Sequence, residues 1–376
     1  MHRVFVLDGI RSHIGRENGM FRGLTAEYLG AAVLRELAVK HPDLLIDRII
    51  AGNAVGTGGN ITRLAALHAG LPENVPAVTI DAQCASGLCS IQLAEALIRA
   101  GICNAVIAGG FESASTQARR IYHPRDDRYQ GDIPYVSAQF SPQERSETAM
   151  LDGAERVAQK YGISREELDA QALSSHQKAS ASMKLLDDAD IIISIKGSTA
   201  DESVRANMRK SLLSRMPAVS GTLTTAGNAC TKNDGAAFVI LCSEEYICDI
   251  SAEPKAEIMQ SSLIAGDPLY SPVCAQLAAE ELISKSGFAI EDIAAFEFNE
   301  AFAVITVLFA QAYPHLYERL NPLGGALAYG HPYGASGAVV LLHLLQSLGP
   351  KDHGICAVAS AGGQGSAMLV QGLAVS

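Results

Sequence analysis

No two cysteines in this sequence form a C-x-x-C pair, although the chain has eight. A redox motif or a zinc ribbon needs that spacing, so no metal site or disulfide framework is expected and the thiols should be free. Also missing is any apolar stretch long enough to cross a bilayer: the longest late run is "AVVLLHLL", where a span takes about 20 residues. The opening "MHRVFVLDGIRS" passes from strand-like residues to charge without the apolar region and cleavage site of an export signal. No basic block or aromatic-interleaved Lys/Arg stripe offsets the net charge of −11, which argues against nucleic acid as a partner. The expectation is a cytoplasmic protein with no membrane and no nucleic-acid partner, in which local groups must meet any anionic ligand.

What is present is apolar mass. The 376 residues are 48% hydrophobic and 18% charged, and cores beyond roughly 250–300 residues usually divide, so more than one structural unit is expected. Strand-like runs "AVTI" (77–80), "NAVIAGG" (104–110), "AAFEF" (294–298) and "ICAVAS" (355–360) alternate with helical patterns. This predicts an α/β architecture with buried, largely parallel strands. Leu88, Ile91, Ala94 and Ile98 recur at steps of three and four, marking a helix face that packs on a sheet.

Two distant segments are alike. "CASGLCSIQLAEALIRAG" from 84 leads into "NAVIAGG", and "GASGAVVLLHLLQSLG" from 334 leads into "ICAVASAGG". Each is a small-residue turn, an apolar helix and a strand ending in Ala-Gly-Gly, which reads either as a duplicated fold or as a chance likeness of Ala/Gly-rich turns. Between them, residues 115 to about 220 are polar and rich in turn formers before helical stretches near "ISREELDAQALSSHQKASASMKLL". They read as a lobe inserted over a sheet end, or as a solvated excursion with no binding role.

Four segments put reactive or permissive residues where a strand ends, the place where open α/β sheets bind ligands. Cys84 precedes three small residues and a helix whose N-terminal dipole would favour a thiolate; it is either a nucleophile or a small buried hydrophobe. Asn299, in "EFNEAFAVITVLFAQAY", either caps the following helix or orients a water or a histidine. His331 sits between Gly330 and Pro332 in "NPLGGALAYGHPYGASG", too crowded a turn for an ordinary core histidine, and is a catalytic candidate. In "CAVASAGGQGSAM", Gly362, Gly363 and Gly365 form a turn whose amides could hold an oxyanion, or an ordinary glycine loop.

Taken together, "DGIRSHIGRENGMFRG", "CASG", "AGGFESAS", "AERVAQKYGISREELD", "TTAGNACTKNDGAA", "NEAFA", "GGALAYGHPYGASG" and the terminal Gly-Gly-x-Gly resemble the thiolase family along nearly the whole chain. The resemblance implies two duplicated mixed α/β halves in five layers (αβαβα) with an inserted loop domain. It places residues 1–115 and 221–250 in the N-terminal half, 116–220 in the insertion and 251–376 in the C-terminal half. It also implies acyl-CoA substrates, no permanently bound cofactor, no metal, and a homodimer or homotetramer. Carried over residue by residue, Cys84 bears the acyl group. His331 activates it and polarises a thioester oxygen, and Asn299 holds a water in that oxyanion hole. The backbone amides of Cys84 and Ala361 form a second hole, and Cys230, Ala301, Phe302 and Gly363 contact the substrate.

The family normally has a second cysteine, in Cys-x-Gly-Gly-Gly-x-Gly, that moves the α-proton of acetyl-CoA. Here Ala359 holds that place and Ala361 the first glycine. Cys356 lies three residues back along a strand, an odd step that turns its side chain to the opposite face about 10 Å away, so it is expected to be structural. Cys230 replaces a serine frequent in the family, as packing or as ligand contact. Arg119, Arg120, Arg125 and Arg128 are candidates for CoA phosphates, with solvated surface charge the alternative. Three readings follow. One is a thiolase-type acyl-CoA C-acyltransferase, impaired in α-proton transfer. Another is a decarboxylative condensing enzyme, or a transferase to another acceptor. The third is a non-catalytic acyl-CoA binder.

Overall fold

The strand Val4–Ser12 is buried at all but one of its residues, because a neighbouring strand covers each edge and helices cover its faces. In this computed structural model, which describes residues 2–143 and 145–374, it lies mid-sheet, antiparallel to Asn233–Ser243 on one side and Ala256–Ala265 on the other. From Asn233–Ser243 the sheet runs outward through Ala105–Ser113 and Arg48–Gly52 to Ala77–Ile80. From Ala256–Ala265 it runs through Gln364–Gly372 and His353–Ser360 to Ile293–Phe298.

The two wings repeat one pattern. Outward from the centre, each has two antiparallel junctions and then parallel pairing, so the paired segments seen in the sequence belong to a duplicated fold. The expectation of largely parallel strands is corrected: along the path of nine strands, five of the eight junctions are antiparallel. Strands covered on both faces are apolar throughout whichever way they run. The connection decides direction, and the short turn between Ser360 and Gln364 can join only antiparallel neighbours.

Helices complete five layers around three apolar cores. Ala26–Lys40 and Ile61–Ala69 place Leu29, Leu34, Ile61 and Ala65 on one outer face, against Phe5, Ile107 and Phe238. Cys274–Ser286 and Ala303–Ala312 place Leu282, Val304 and Phe309 on the other, against Phe296, Ile355 and Leu369. Ser86–Arg99 and Tyr333–Gln346 lie between the wings. Leu88, Ile91, Ala94 and Ile98, the face read from the sequence, are fully buried there with Leu341, Val358 and Met368.

The small-residue turns make this middle layer possible. A Cβ added to Gly337 would lie 2.0 Å from the backbone N of Leu88, so the two helices meet backbone to backbone near their N-termini. That contact sets the starts of the two helices, one from each half, side by side.

The segment between Ser113 and Asn233 contains the helices Ala149–Lys160 and Arg165–Asp188, the second opened by a capping box between Ser164 and Glu167. Ile193 and Ile195 pack on the half from which it emerges, but much of its apolar surface does not. Val157, Leu168 and Ala172 join the outer core of the second half, while Ala179 and Leu186 join the central one. All eight cysteines are free, as their spacing implied. Among the described residues no helix is long and apolar enough to cross a membrane, and no cluster of His, Cys, Asp and Glu could hold a metal ion.

Candidate active site

Ala77–Ile80 ends in a sharp turn at which Gln83 takes a left-handed backbone (φ 53°), a conformation that costs a residue with a Cβ. Asp81 fixes it, its Oδ1 accepting from the Gln83 amide at 2.8 Å and from the Gln83 side chain at 2.9 Å. Ser86 Oγ accepts from the Ala82 amide at 2.8 Å and donates to the Gln83 carbonyl at 2.6 Å. The turn leaves Cys84 half-buried just before the central helix, facing a cavity of about 240 Å³.

The Ala-Gly-Gly turn of the second half meets this one: Ser360 Oγ donates to the Ala82 carbonyl at 2.6 Å. The backbone N–H groups of Ala361 and of Cys84 itself are directed at the Cys84 thiol and pull its pKa down. Burial outweighs them and, with the negative charges of Glu112 and Asp81 adding to it, pushes the thiol up to about 12. The expected stabilisation of a resting thiolate by the helix dipole does not prevail here, because desolvation is the larger effect.

His331 lines the same cavity. Gly330 before it has φ 101°, and a Cβ there would lie 2.2 Å from the Asn233 side chain, so the turn requires glycine. The His331 amide donates to Asn233 Oδ1 at 3.1 Å. Its Nδ1 lies 2.6 Å from Ser336 Oγ, which donates onward to the Pro332 carbonyl at 3.1 Å. Ser336 therefore accepts from Nδ1–H, leaving Nε2 with the lone pair. Burial holds the imidazole down at about 3. At neutral pH the site contains a neutral thiol and a neutral base.

Asn299 is not a helix cap. Phe302 holds the cap position of Ala303–Ala312, and the Ala303 amide is satisfied by the Asn228 carbonyl at 2.9 Å. Nor does Asn299 line the large cavity. It lines a second, interior cavity of about 10 Å³ with Glu297, Ser336 and His343, about the size that holds one water. Three buried atoms of that cavity's residues, Asn299 Oδ1, Glu297 Oε2 and His343 Nε2, find no hydrogen-bond partner among the described residues. Asn299 reaches the chemistry through His331, its Nδ2 lying 3.4 Å from Nε2.

Cys230, Ala301 and Phe302 line the large cavity, held by a bond from the Cys230 amide to the Ala301 carbonyl at 3.0 Å and by a bridge between Ala229 and Phe302. Gly363 does not line it. Its amide donates to Ser271 Oγ at 2.9 Å and a Cβ there would meet the Gly266 carbonyl at 2.5 Å, so its role is in packing. Ala359 faces the outer core and Cys356 the central one, which is the odd-step reversal expected of a strand. Of the four arginines only Arg120 lines the cavity, its Nη2 donating to the Ala54 carbonyl at 2.7 Å. Arg128 pairs with Asp126 at 2.7 Å, and Arg119 and Arg125 are exposed.

Sequence reasoning missed three contributors. The inserted segment forms a wall of the cavity through Val136, Ala138, Phe140, Met150 and Leu151; it does cover the site, but nothing in its polar composition marked those residues. Tyr333 also lines the cavity, its ring edge-on to the His331 ring at 4.9 Å. Burial, and then the nearby Cys230 and Cys84, push its phenol well above the ordinary range. A large aromatic directly after His-Pro, amid small residues, was the available signal. Glu112 is the third: its buried carboxylate accepts from Asn53 Nδ2 at 2.9 Å and from the amides of Ala54, Val55 and Gly334 at 2.8, 3.2 and 3.1 Å. It ties the first half to the turn bearing His331, and burial raises it to about 7.

The thiolase N-terminal domain family matches residues 4–245, and the thiolase C-terminal domain family matches residues 252–372. The chain belongs to the thiolase family. It is 35% identical to Staphylococcus aureus VraB over 98% of this chain and 99% of that one. It is 34% identical to Bacillus subtilis YhfS over the same shares. Both thiolase relatives are named as candidate acetyl-CoA C-acetyltransferases. Among solved structures, a Bacillus anthracis acetyl-CoA acetyltransferase superimposes with a TM-score of 0.91 at 30% identity, covering 99% of each chain. An Ascaris suum thiolase in complex with coenzyme A does so with a TM-score of 0.88 at 30% identity, covering 99% of this chain and 100% of that one.

Proposed function

We propose that the protein is an acyl-CoA C-acyltransferase, transferring acetyl or a related acyl group between coenzyme A thioesters through an acyl thioester on Cys84. The observation that carries this reading is the common cavity of Cys84 and His331, with the Ala361 amide directed at the thiol. In the first half-reaction His331 Nε2 takes the thiol proton as sulfur attacks the thioester carbonyl, so charge appears only as the bond forms. The amides of Cys84 and Ala361 stabilise the oxyanion. Ser336 steadies the imidazole from behind through Nδ1, and Asn299 lies beside Nε2. Cys230, Ala301 and Phe302 border the path of the acyl-pantetheine arm. The names of the relatives favour acetyl-CoA, and no resident cofactor or metal is needed.

Incubation with acetyl-CoA followed by intact-mass measurement tests it. An acetyl adduct is expected in the wild type and not in Cys84→Ala; no adduct in the wild type would end the reading.

Ala359 favours a second reading, in which the acyl-cysteine is joined to a malonyl-type unit. Decarboxylation then makes the carbanion, and a second acid/base, worth typically 10²–10⁴-fold, is not required. Carbon dioxide release from malonyl-CoA by the acylated enzyme would support it.

A further inference from the structure

Joining two acetyl units moves two protons, that of the Cys84 thiol and one from the methyl group of the second acetyl-CoA. Once His331 has taken the first it is an acid, and it can take the second only after giving the first away. With Ala359 at the usual position, His331 must carry both in turn unless another group on the cavity wall takes one of them.

The wall offers few. Arg120 stays charged, and Lys232 is an exposed cation at the rim. Glu147 accepts from the Ser137 amide at 2.8 Å and lies below its ordinary pKa through that bond and Arg145, which makes it a weak base. Tyr333 stands on the imidazole side of the cavity, its ring edge-on to the His331 ring at 4.9 Å. Of the eight cysteines, only Cys84 and Cys230 border the cavity. The strap 229–232 that carries Cys230 is pinned at both ends, by the Ala229–Phe302 bridge and by the Lys232–His331 bridge. Cys230 is thus held between the other two cavity-lining segments, and its thiol is close enough to Cys84 for a charge there to raise its pKa.

We propose that Cys230 is a catalytic residue, the thiol that carries the second proton. This rests on the acyl-Cys84 reading above. As Cys84 sulfur bonds to the acyl carbon and the bond to CoA sulfur breaks, Cys230 S–H gives its proton to the departing CoA thiolate. The Cys230 thiolate then takes a proton from the methyl group of a second acetyl-CoA and becomes a thiol again. The resulting carbanion attacks the acyl-Cys84 carbonyl, a carbon–carbon bond forms, Cys84 leaves as thiolate, and His331 returns its proton to it. All protons are accounted for and the resting state is restored. Burial keeps the Cys230 thiol protonated at rest and makes its thiolate a stronger base than an exposed one.

The test follows loss of deuterium from methyl-deuterated acetyl-CoA in water alongside acylation of Cys84. In Cys230→Ser, exchange is expected to fall at least about 100-fold further than acylation does, with the KM for acetyl-CoA little changed. Cys230→Ala should do the same, and Ala359→Cys placed in the Cys230→Ser background should recover exchange. Equal effects on exchange and acylation in both variants, or a change confined to KM, would overturn the assignment and leave acyl-Cys84 standing. Absence of acyl-Cys84 in the wild type would overturn both.

Discussion

Ser336 Oγ lies 2.6 Å from Nδ1 of His331, and both side chains are buried. Because the hydroxyl also donates to the Pro332 carbonyl, it can only accept from the ring, and this selects the tautomer with the lone pair on Nε2. One serine on the first turn of the helix Tyr333–Gln346 therefore decides which ring nitrogen is free to accept a proton.

Ser336→Ala should leave a buried Nδ1–H unpaired. The expected cost is about 1–3 kcal/mol of stability, and acylation of Cys84 should slow by roughly 10- to 100-fold as the ring loses its orientation. Denaturant melts and rapid-quench mass measurement of the adduct check the two effects separately. An unchanged acylation rate would show that the tautomer is set elsewhere.

The elements that bring these residues together were largely visible in the sequence. The period of Leu88, Ile91, Ala94 and Ile98 marked the central helix, and the likeness of "CASG" and "GASG" marked the duplication. Strand direction was not visible, since buried runs such as "ICAVAS" look alike in parallel and antiparallel sheets. Nor was the left-handed turn at Gln83, because glutamine has no local preference for that conformation and Asp81 imposes it. The cavity lining from Val136 to Leu151 depends on how the insertion folds back onto the opposite half, which no short-range pattern encodes. His331 and Cys84 were legible for the converse reason. Each sits in a run of small residues that has little other use than close approach.

Cys84 should react as a neutral thiol in the free enzyme. With its pKa raised to about 12 by burial, the thiolate fraction grows about tenfold for each pH unit throughout the range in which the protein is handled. Inactivation by iodoacetamide should therefore accelerate steadily from pH 6.5 to 9 without levelling. A plateau beginning near neutrality would instead indicate a preformed thiolate–imidazolium pair.

His343 should shape the acid limb of stability. It is buried in an apolar helix, edge-on to the Tyr329 ring at 4.9 Å, and burial, reinforced by Arg11, holds it well below the ordinary histidine range. The unfolded chain binds a proton near pH 6.5 and the folded chain does not. The group's contribution is thus complete above that pH and is lost as pH falls below it. In His343→Leu the slope of unfolding free energy against pH, between pH 6 and 4.5, should be smaller than in the wild type by about 1.4 kcal/mol per pH unit. Parallel slopes for the two proteins would contradict the assignment.

Gly337→Ala tests whether the helix contact sets the catalytic geometry. The new methyl would lie 2.0 Å from the Leu88 amide nitrogen and 2.8 Å from the Gly87 carbonyl carbon, and both are backbone atoms with no rotamer to escape into. The helices must separate, at a cost of about 1–3 kcal/mol. Cys84 lies just before one helix, and His331, with Ser336, at the start of the other, so separation displaces thiol from imidazole. Acylation should fall more than about tenfold. Gly23→Ala is the matching control, since nothing lies within 4 Å of its added Cβ, and it should alter neither melting temperature nor adduct formation. If Gly337→Ala melts lower but acylates at the wild-type rate, the contact supports the fold alone and the alignment of Cys84 with His331 is fixed by the turns at Gln83 and Gly330.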